Sequence, residues 1–398
     1  MSGALDGIRV LDCATFVAAP FCGTLLAEFG AEVIKIEQPK VGDSLRRFGT
    51  PTDCGDTLNW LNEARNKRPV TLDLRKPEGA AIFKRLVGVS QVVLENFRPG
   101  TLERWGLGYE ELARINPALV MLRVSAYGQS GPLRQRPGFA RIAHAFSGIA
   151  YLAGEPGRPP VVPGSTSLAD YGSGLFGAVG VLVALRHAER TGIGQIVDIA
   201  LYESMFRVLD ELAPAYARSG VVRERTGPAT FHIVPHSNYG TRDGHWVALA
   251  CSNDRMWQRL TRAMGRPELG SDPRYATAPG RKAHGVEVDQ AVADWVASRD
   301  CEEVIAACEA ADMPCSKLLN IADIFANEQY AARENLLNIK DPRAGELTVP
   351  APVPRLSKTP AEVRSLGQAL GSANRAVFGG LLGMGDDELA RLEAMDIL

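Results

Sequence analysis

The sequence is poor in the features that mark several common chemistries. It has six histidines, and His232 and His236 in "FHIVPH" stand four apart with Pro235 between them, so they are not a helical metal-ligand pair. Its seven cysteines include no CxxC pair, which removes the usual signature of a zinc or dithiol site. Cys301, Cys308 and Cys315 recur every seven residues, and thiols so placed on one helical face read as small core residues. An excess of one charge is also missing. Lys and Arg number 44 against 46 Asp and Glu, interspersed, so no stripe for nucleic acid or an anionic membrane is expected. The longest apolar run, Leu175 to Leu185, is too short to span a bilayer and is glycine-rich. "MSGALDGIRVLD" lacks a basic segment followed by an apolar one, so no secretory signal is read there. With an odd cysteine count, this leads to reduced thiols and a cytoplasmic location as the expectation.

Two phosphate-binding signatures are absent as well. "IRVLD" is followed by "CATFVAAPFCG", with no GxGxxG turn, and GxxxxGK[ST] occurs nowhere. Simple NAD enzymes and P-loop NTPases are thereby set aside. Ser125 and Ser130, flanking "AYGQSG", are not in a GxSxG elbow and read as turn or loop residues.

What is present is a chain of 398 residues, 45% apolar, enough for a large core and two domains. "IRVLD" (8–12), "AEVIKIE" (31–37), "VTLDL" (70–74), "QVVLENF" (91–97) and "LVMLRVSAY" (119–127) read as strands. Helical patterns lie between them: Pro20 to Phe29, Pro77 to Val87 and Tyr109 to Ile115. This alternation predicts an α/β fold with a mostly parallel, Rossmann-like sheet, binding ligands at the carboxyl ends of its strands. An arginine-rich connector near Arg218 to Gly227 precedes a second, smaller domain over about 226–325 that begins with the strand "HWVALAC" (245–251). "ELTVPAPVPRLSKTP" reads as an extended proline-rich crossing, and "MGDDELARLEAMDIL" as a terminal amphipathic helix.

One acid stands out. In "SLADYGSGLFGAVGVL" (167–182), Asp170 is followed at once by Gly172, Gly174, Gly177 and Gly180 inside an apolar run. As a cap, it would accept N–H groups at the start of a helix from about Tyr171 to Arg190, and the helix dipole would keep it ionised. As a nucleophile, it would form an acyl intermediate, with glycine N–H groups free to face the oxyanion. The two roles are compatible. His144, on a helical pattern over 139–150, reads as a satisfied core or surface residue.

Taken together, "LDGIRVLD", "LLAEFGAEVIKIEQP", "RNKRPVTLDLRKPEG", "ENFRPGTLERWGLGYEEL", "SAYGQSGP", "SLADYGSG", "GIGQIVDIAL" and "YGTRDGHWVALACSNDRMW" resemble, in order, the signatures of family III CoA-transferases, the CaiB/BaiF and formyl-CoA transferase group. The likeness runs from about Leu5 to the C-terminus. It implies an interlocked homodimer, each chain having a large Rossmann-like domain built from both chain ends and a small inserted α+β domain. The corresponding layout is 1–200 for the N-terminal part of the large domain, 201–225 as linker, 226–325 as small domain, and 326–398 as linker and return. It also implies an enzyme whose substrates are acyl-CoA and a free carboxylic acid, with coenzyme A as substrate and no metal or nucleotide cofactor.

Position by position, the resemblance makes Asp170 the catalytic residue. It places Phe16, Val17, Ala18, Leu72, Arg75, Asn96, Phe97, Arg98 and Arg104 at CoA. Arginine forks suit the phosphates of its nucleotide end. The implied mechanism is a relay through an aspartyl-CoA thioester on Asp170.

Three departures qualify the likeness. After "VIKIE" the usual arginine is Gln38, with Lys40 the alternative cation. After "RPGF" the usual acid is Ala140, followed by Arg141, and a cation there would suit a second substrate carboxylate. The expectation is therefore a small dicarboxylic acyl group of the succinyl, malyl, citramalyl or mesaconyl type, moved between molecules or within one. The small domain also lacks a long glycine run, which argues against formate or oxalate chemistry. An α-methylacyl-CoA racemase is the alternative in the same fold, but Phe139 stands where its histidine would be. A non-catalytic CoA-binding subunit is the alternative from another class.

Overall fold

The computed structural model describes residues 3–162 and 166–398. The chain folds into two compact units, the first comprising residues up to Ala150, Val162–Leu212 and Tyr330–Leu398, the second Tyr151–Val161 and Ala213–Gln329.

The first unit is built on six parallel strands: β1 (Arg9–Asp12), β2 (Glu32–Glu37), β3 (Lys67–Thr71), β4 (Val92–Glu95), β5 (Val120–Ser125) and β6 (Ile196–Ala200). Their order is β3-β2-β1-β4-β5-β6. Strands β4 and β5, "VVLE" and "VMLRVS", are buried along their whole length, as parallel strands covered on both faces must be. Successive residues alternate between two cores. Leu11, Val93 and Met121 face one with Phe83, Phe378 and Leu392, while Val10, Leu94 and Leu122 face the other with Ala19, Cys22 and Val181. Strand order reverses between β1 and β4, which opens a crevice at the carboxyl edge of the sheet.

Several sequence expectations shift. The third strand ends at Thr71 instead of reaching Leu74, because the C-terminal segment takes over its donors. Thr71 N–H donates to Asn374 Oδ1 at 2.8 Å, and Asp73 N–H to the Ile397 carbonyl at 2.9 Å. Strand β6 is an edge whose side chains are partly exposed, so its sequence carries no clean apolar signal. The stretch 201–225, expected as a linker, contains the helices Leu201–Phe206 and Leu212–Ser219. Ala200 N–H donates to the Glu203 carboxylate at the start of the first of these, and Leu201 and Met205 bury in the core. The proline-rich crossing begins inside an antiparallel hairpin of Leu336–Asp341 with Gly345–Pro350.

Asp170 lies on a helix running from Leu168 to Thr191, 24 residues, longer than the apolar run suggested. By length and composition alone it could cross a membrane. In this fold one face is packed against the sheet and its neighbours. A Cβ on Gly174 would lie 2.7 Å from the Ala18 carbonyl, and one on Gly177 2.8 Å from Leu122. These glycines let the helix sit close against its neighbours. The opposite face leaves Leu175, Val179 and Val183 exposed.

In the second unit, Trp257, Val292, Val304, Cys301 and Cys308 are buried together beside an antiparallel sheet of His236–Gly240, Trp246–Ala250 and Cys315–Lys317. The thiols act there as core residues. No cluster of His, Cys, Asp and Glu that could hold a metal is found among the described residues.

Candidate active site

Loops leaving the carboxyl ends of β1, β4 and β5 meet the first turn of the Leu168–Thr191 helix around a cavity of about 260 Å³. Asp170 lines it, together with Phe16, Val17, Ala18, Asn96, Phe97 and Arg98.

Asp170 is not the helix cap. Ser167 holds the capping position without a side-chain bond, and Asp170 is the third helical residue. The Ala169 N–H, a free end of the helix, is instead accepted by His144 Nε2 at 3.0 Å. The Asp170 carboxylate has no hydrogen bond or ion pair among the described residues. Burial pushes its pKa up to about 6, the opposite direction to the shift expected from the helix dipole. The glycine N–H groups are not free either. Gly172 is the fifth helical residue, and from that position on N–H groups close the helix's own bonds.

His144 is almost fully buried on the helix Ala140–Ser147. Burial, and then Arg141, lower its pKa, so the ring is neutral, with Nε2 as the acceptor and the proton on Nδ1. Nδ1 has no partner among the described residues. Nothing in sequence spacing could connect His144 to Ala169.

The loop after β1 is clamped from two sides. Asn96 Oδ1 accepts the Thr15 N–H at 2.8 Å while Asn96 Nδ2 donates to the Thr15 carbonyl at 2.7 Å. Phe16 has a left-handed backbone, φ 60°, and its N–H donates to Asp43 Oδ1 at 3.1 Å. Such a conformation costs about 1–3 kcal/mol outside glycine and persists only where neighbours hold it. Asp43 is anchored in turn by Lys35 at 2.9 Å, and Lys35 lies 3.6 Å from Asp12, itself 2.9 Å from Lys67. Burial alone would raise the Asp43 carboxyl, but Lys35 and the donated hydrogen bonds hold it below its usual value. The Phe16 ring meets Phe139 and Phe48 edge-on.

A second cavity of about 200 Å³ shares Thr15 and Phe97 with the first. Leu72, Arg75 and Gln38 line it. Arg75 is held by both Asp73 oxygens at 2.8 Å. Lys40 is paired with Asp396 and lies outside both cavities. Arg104 also lines neither, its Nη2 donating to Thr101 Oγ1 at 3.0 Å.

Arg141, expected to contact substrate, is exposed and is not among the residues that line either cavity. Its helix begins at Ala140 and carries it away from the lining. The cations that do line the first cavity are Arg98, Arg134 and Arg136. Arg134 and Arg136, in "RQRPGF", were missed in the sequence, where only their closeness to the Gly-Pro turn could have signalled them. Ser125, read as a turn residue, is the last residue of β5, and its hydroxyl is buried on the cavity wall without a partner among the described residues. Phe139 lines the same wall, 71% exposed, where a racemase would need an imidazole.

The cavity thus sets a carboxylate beside Arg98, Arg134 and Arg136, none of them with a side-chain hydrogen bond or ion pair among the described residues. The profile of CoA-transferase family III matches residues 5–373. The chain is a family III CoA-transferase. The transferase is 54% identical to the succinyl-CoA–L-malate CoA-transferase beta subunit of Chloroflexus aurantiacus, over 99% of this chain and 98% of that one. It is 43% identical to the succinyl-CoA–D-citramalate CoA-transferase of the same organism, again over 99% and 98%. Its fold matches the crystal structure of a CAIB/BAIF family protein from Brucella suis with a TM-score of 0.83 and 32% identity, covering 96% of this chain and 100% of that one. The transferase is thus an enzyme whose substrates are CoA thioesters.

Proposed function

We propose that the transferase moves coenzyme A from succinyl-CoA or a similar dicarboxylic acyl-CoA to a small dicarboxylic acid of the malate or citramalate type, with Asp170 as covalent carrier. The observation that carries the mechanism is the Asp170 carboxylate, desolvated on a cavity wall and without a partner among the described residues. The names of relatives covering the whole chain support the substrate class.

In the first step a carboxylate oxygen of Asp170 attacks the thioester carbonyl. The C–S bond breaks, giving a mixed anhydride and CoA thiolate. The thiolate then attacks the aspartyl carbonyl carbon, which forms the aspartyl-CoA thioester and releases the donor acid as its carboxylate. The acceptor carboxylate attacks that thioester and regenerates a mixed anhydride and thiolate. Attack of the thiolate on the acceptor's acyl carbon yields the new acyl-CoA and free Asp170. No proton, water or electron is consumed. Both intermediates hydrolyse readily, so an apolar wall behind Asp170 serves the chemistry.

In this reading CoA runs from the first cavity into the second. Phe16, Val17, Ala18, Asn96, Phe97 and Arg98 surround its sulfur end, and Leu72 and Arg75, with Arg104 outside, its nucleotide end. Transfer within one substrate uses the same relay. The exposed apolar residues Leu175, Val179 and Val183 support a second copy packed on this helix, in a homodimer of interlocked chains. Seven free cysteines support a reducing, cytoplasmic setting.

Incubation with a panel of acyl-CoAs and free acids, read by mass spectrometry, tests the substrate class, and hydroxylamine trapping tests the carrier. Transfer to dicarboxylates with modification at Asp170 is the expected result. Turnover that leaves Asp170 unmodified by hydroxylamine would overturn the relay. Light scattering tests the assembly, with a dimer expected and a monomer, or a need for a second kind of subunit, against it.

A further inference from the structure

The first cavity holds more positive charge than the transfer of a simple acyl group requires. Arg98, Arg134 and Arg136 line it against one acid, Asp170. Neither Arg134 nor Arg136 has an ion pair or a side-chain hydrogen bond among the described residues. Three other arginines are neutralised instead: Arg75 by Asp73, Arg46 by Glu37 and Asp56, Arg123 by Glu95 and Glu103.

The loop bearing the two free arginines is braced. Gln129 N–H donates to both Asp198 oxygens at 3.1 Å, and Gln135 Nε2 donates to the Pro99 carbonyl at 3.3 Å. Arg136 N–H closes a turn on the Leu133 carbonyl at 2.8 Å. Gln135 therefore ties the loop down while the arginines on either side of it line the cavity. Bracing of this kind lowers the entropy lost when a ligand is held.

We propose that Arg134 and Arg136 form the receptor for the second carboxylate of the acyl group, and so set the preference for dicarboxylic over monocarboxylic substrates. The proposal rests on the dicarboxylate transfer proposed above and assigns its specificity to two residues. In a small dicarboxylic acid the two carboxyls are separated by only a few bonds. When one carboxyl reacts at Asp170, the other stays within the same cavity. The phosphates of CoA, by contrast, are separated from the reacting sulfur by the long pantetheine arm. Guanidinium forks match a carboxylate in a bidentate manner, and a monocarboxylic acyl group leaves them without a partner.

The test uses the full-length enzyme and the variants Arg134→Gln, Arg136→Gln and both together. Succinyl-CoA is compared with butyryl-CoA as donor, and each dicarboxylic acceptor with the monocarboxylic acid of the same chain length. Inhibition by free CoA is measured alongside, and melting temperatures verify that the variants fold. Each single change is expected to lower kcat/KM for the dicarboxylic substrate by about tenfold or more. In the double variant the succinyl-to-butyryl preference should collapse towards unity while the inhibition constant of free CoA stays constant.

Two results would overturn the assignment: a preference that survives in the double variant, or an equal loss for both donors with weaker binding of free CoA, which would give the arginines to the CoA phosphates. A wild-type enzyme with no preference for dicarboxylates would overturn the substrate reading itself, before any variant is made.

Discussion

His144 Nε2 accepts the Ala169 N–H at 3.0 Å, which joins the helix Ala140–Ser147 to the turn that carries Asp170. Removing that acceptor leaves a buried N–H without a partner, at a cost of about 1–3 kcal/mol. His144→Leu is expected to lower kcat about tenfold while KM for acyl-CoA changes little, because the CoA loop is held elsewhere. His144→Gln keeps an acceptor oxygen on a side chain of similar reach and should recover most of the loss. Steady-state kinetics on both variants decide it, and equal damage from both would reduce His144 to a packing residue.

Asn96 lines the first cavity and also holds the loop after β1. Both ends of its amide are committed to Thr15, at 2.8 and 2.7 Å. Asn96→Ala is expected to loosen the loop beneath Phe16 and to raise KM for acyl-CoA about tenfold, with kcat held within a fewfold. Isothermal titration with CoA measures the same loss without turnover. Unchanged affinity would separate this loop from CoA.

The central strands were legible because β4 and β5 are buried along their length and carry continuous apolar sequence. Strand β3 was displaced because its end competes for partners with Asn374 and Ile397, more than three hundred residues away in the chain. Asp170 stood out as an acid in an apolar, glycine-rich run. Its hydrogen-bonding state was not legible, because the residue that serves the helix end in its place, His144, lies on another helix. Arg141 is the opposite case. Adjacency to the "RPGF" turn suggested a substrate contact, but the turn directs Arg134 and Arg136 to the cavity and leaves Arg141 on a helix outside it.

The glycines behind Asp170 differ in what surrounds them. A Cβ at Gly174 meets the Ala18 carbonyl at 2.7 Å and Phe21 Cβ at 2.9 Å, neither of which moves without the backbone. A Cβ at Gly177 meets chiefly the tip of Leu122 at 2.8 Å, a side chain that can turn. Alanine gains up to about 1 kcal/mol of helix propensity at either site, while overpacking costs about 1–3 kcal/mol where nothing yields. Gly174→Ala is therefore expected to destabilise, and Gly177→Ala to lie near neutral. Chemical denaturation of the two variants checks the order.

In the proposed relay, Asp170 links activity and stability through one proton. Its carboxyl is raised from 3.8 to about 6 by burial, and only the ionised form attacks a thioester. The rate kcat/KM for acyl-CoA is expected to rise with pH through about 6 and level off above it. Between about pH 4 and 6 the folded chain holds this proton while the unfolded chain has lost it. Stability contributed by the site therefore falls as pH rises across that window. Above about pH 6 the native enzyme bears the full cost of a desolvated anion, at most about 3 kcal/mol. Asp170→Asn removes the charge and keeps the shape. The variant should lose activity by about a thousandfold or more, yet unfold at higher denaturant than wild type at about pH 8, with the gap closing towards about pH 4. A gap that does not depend on pH would mean that the stability change does not come from the Asp170 charge.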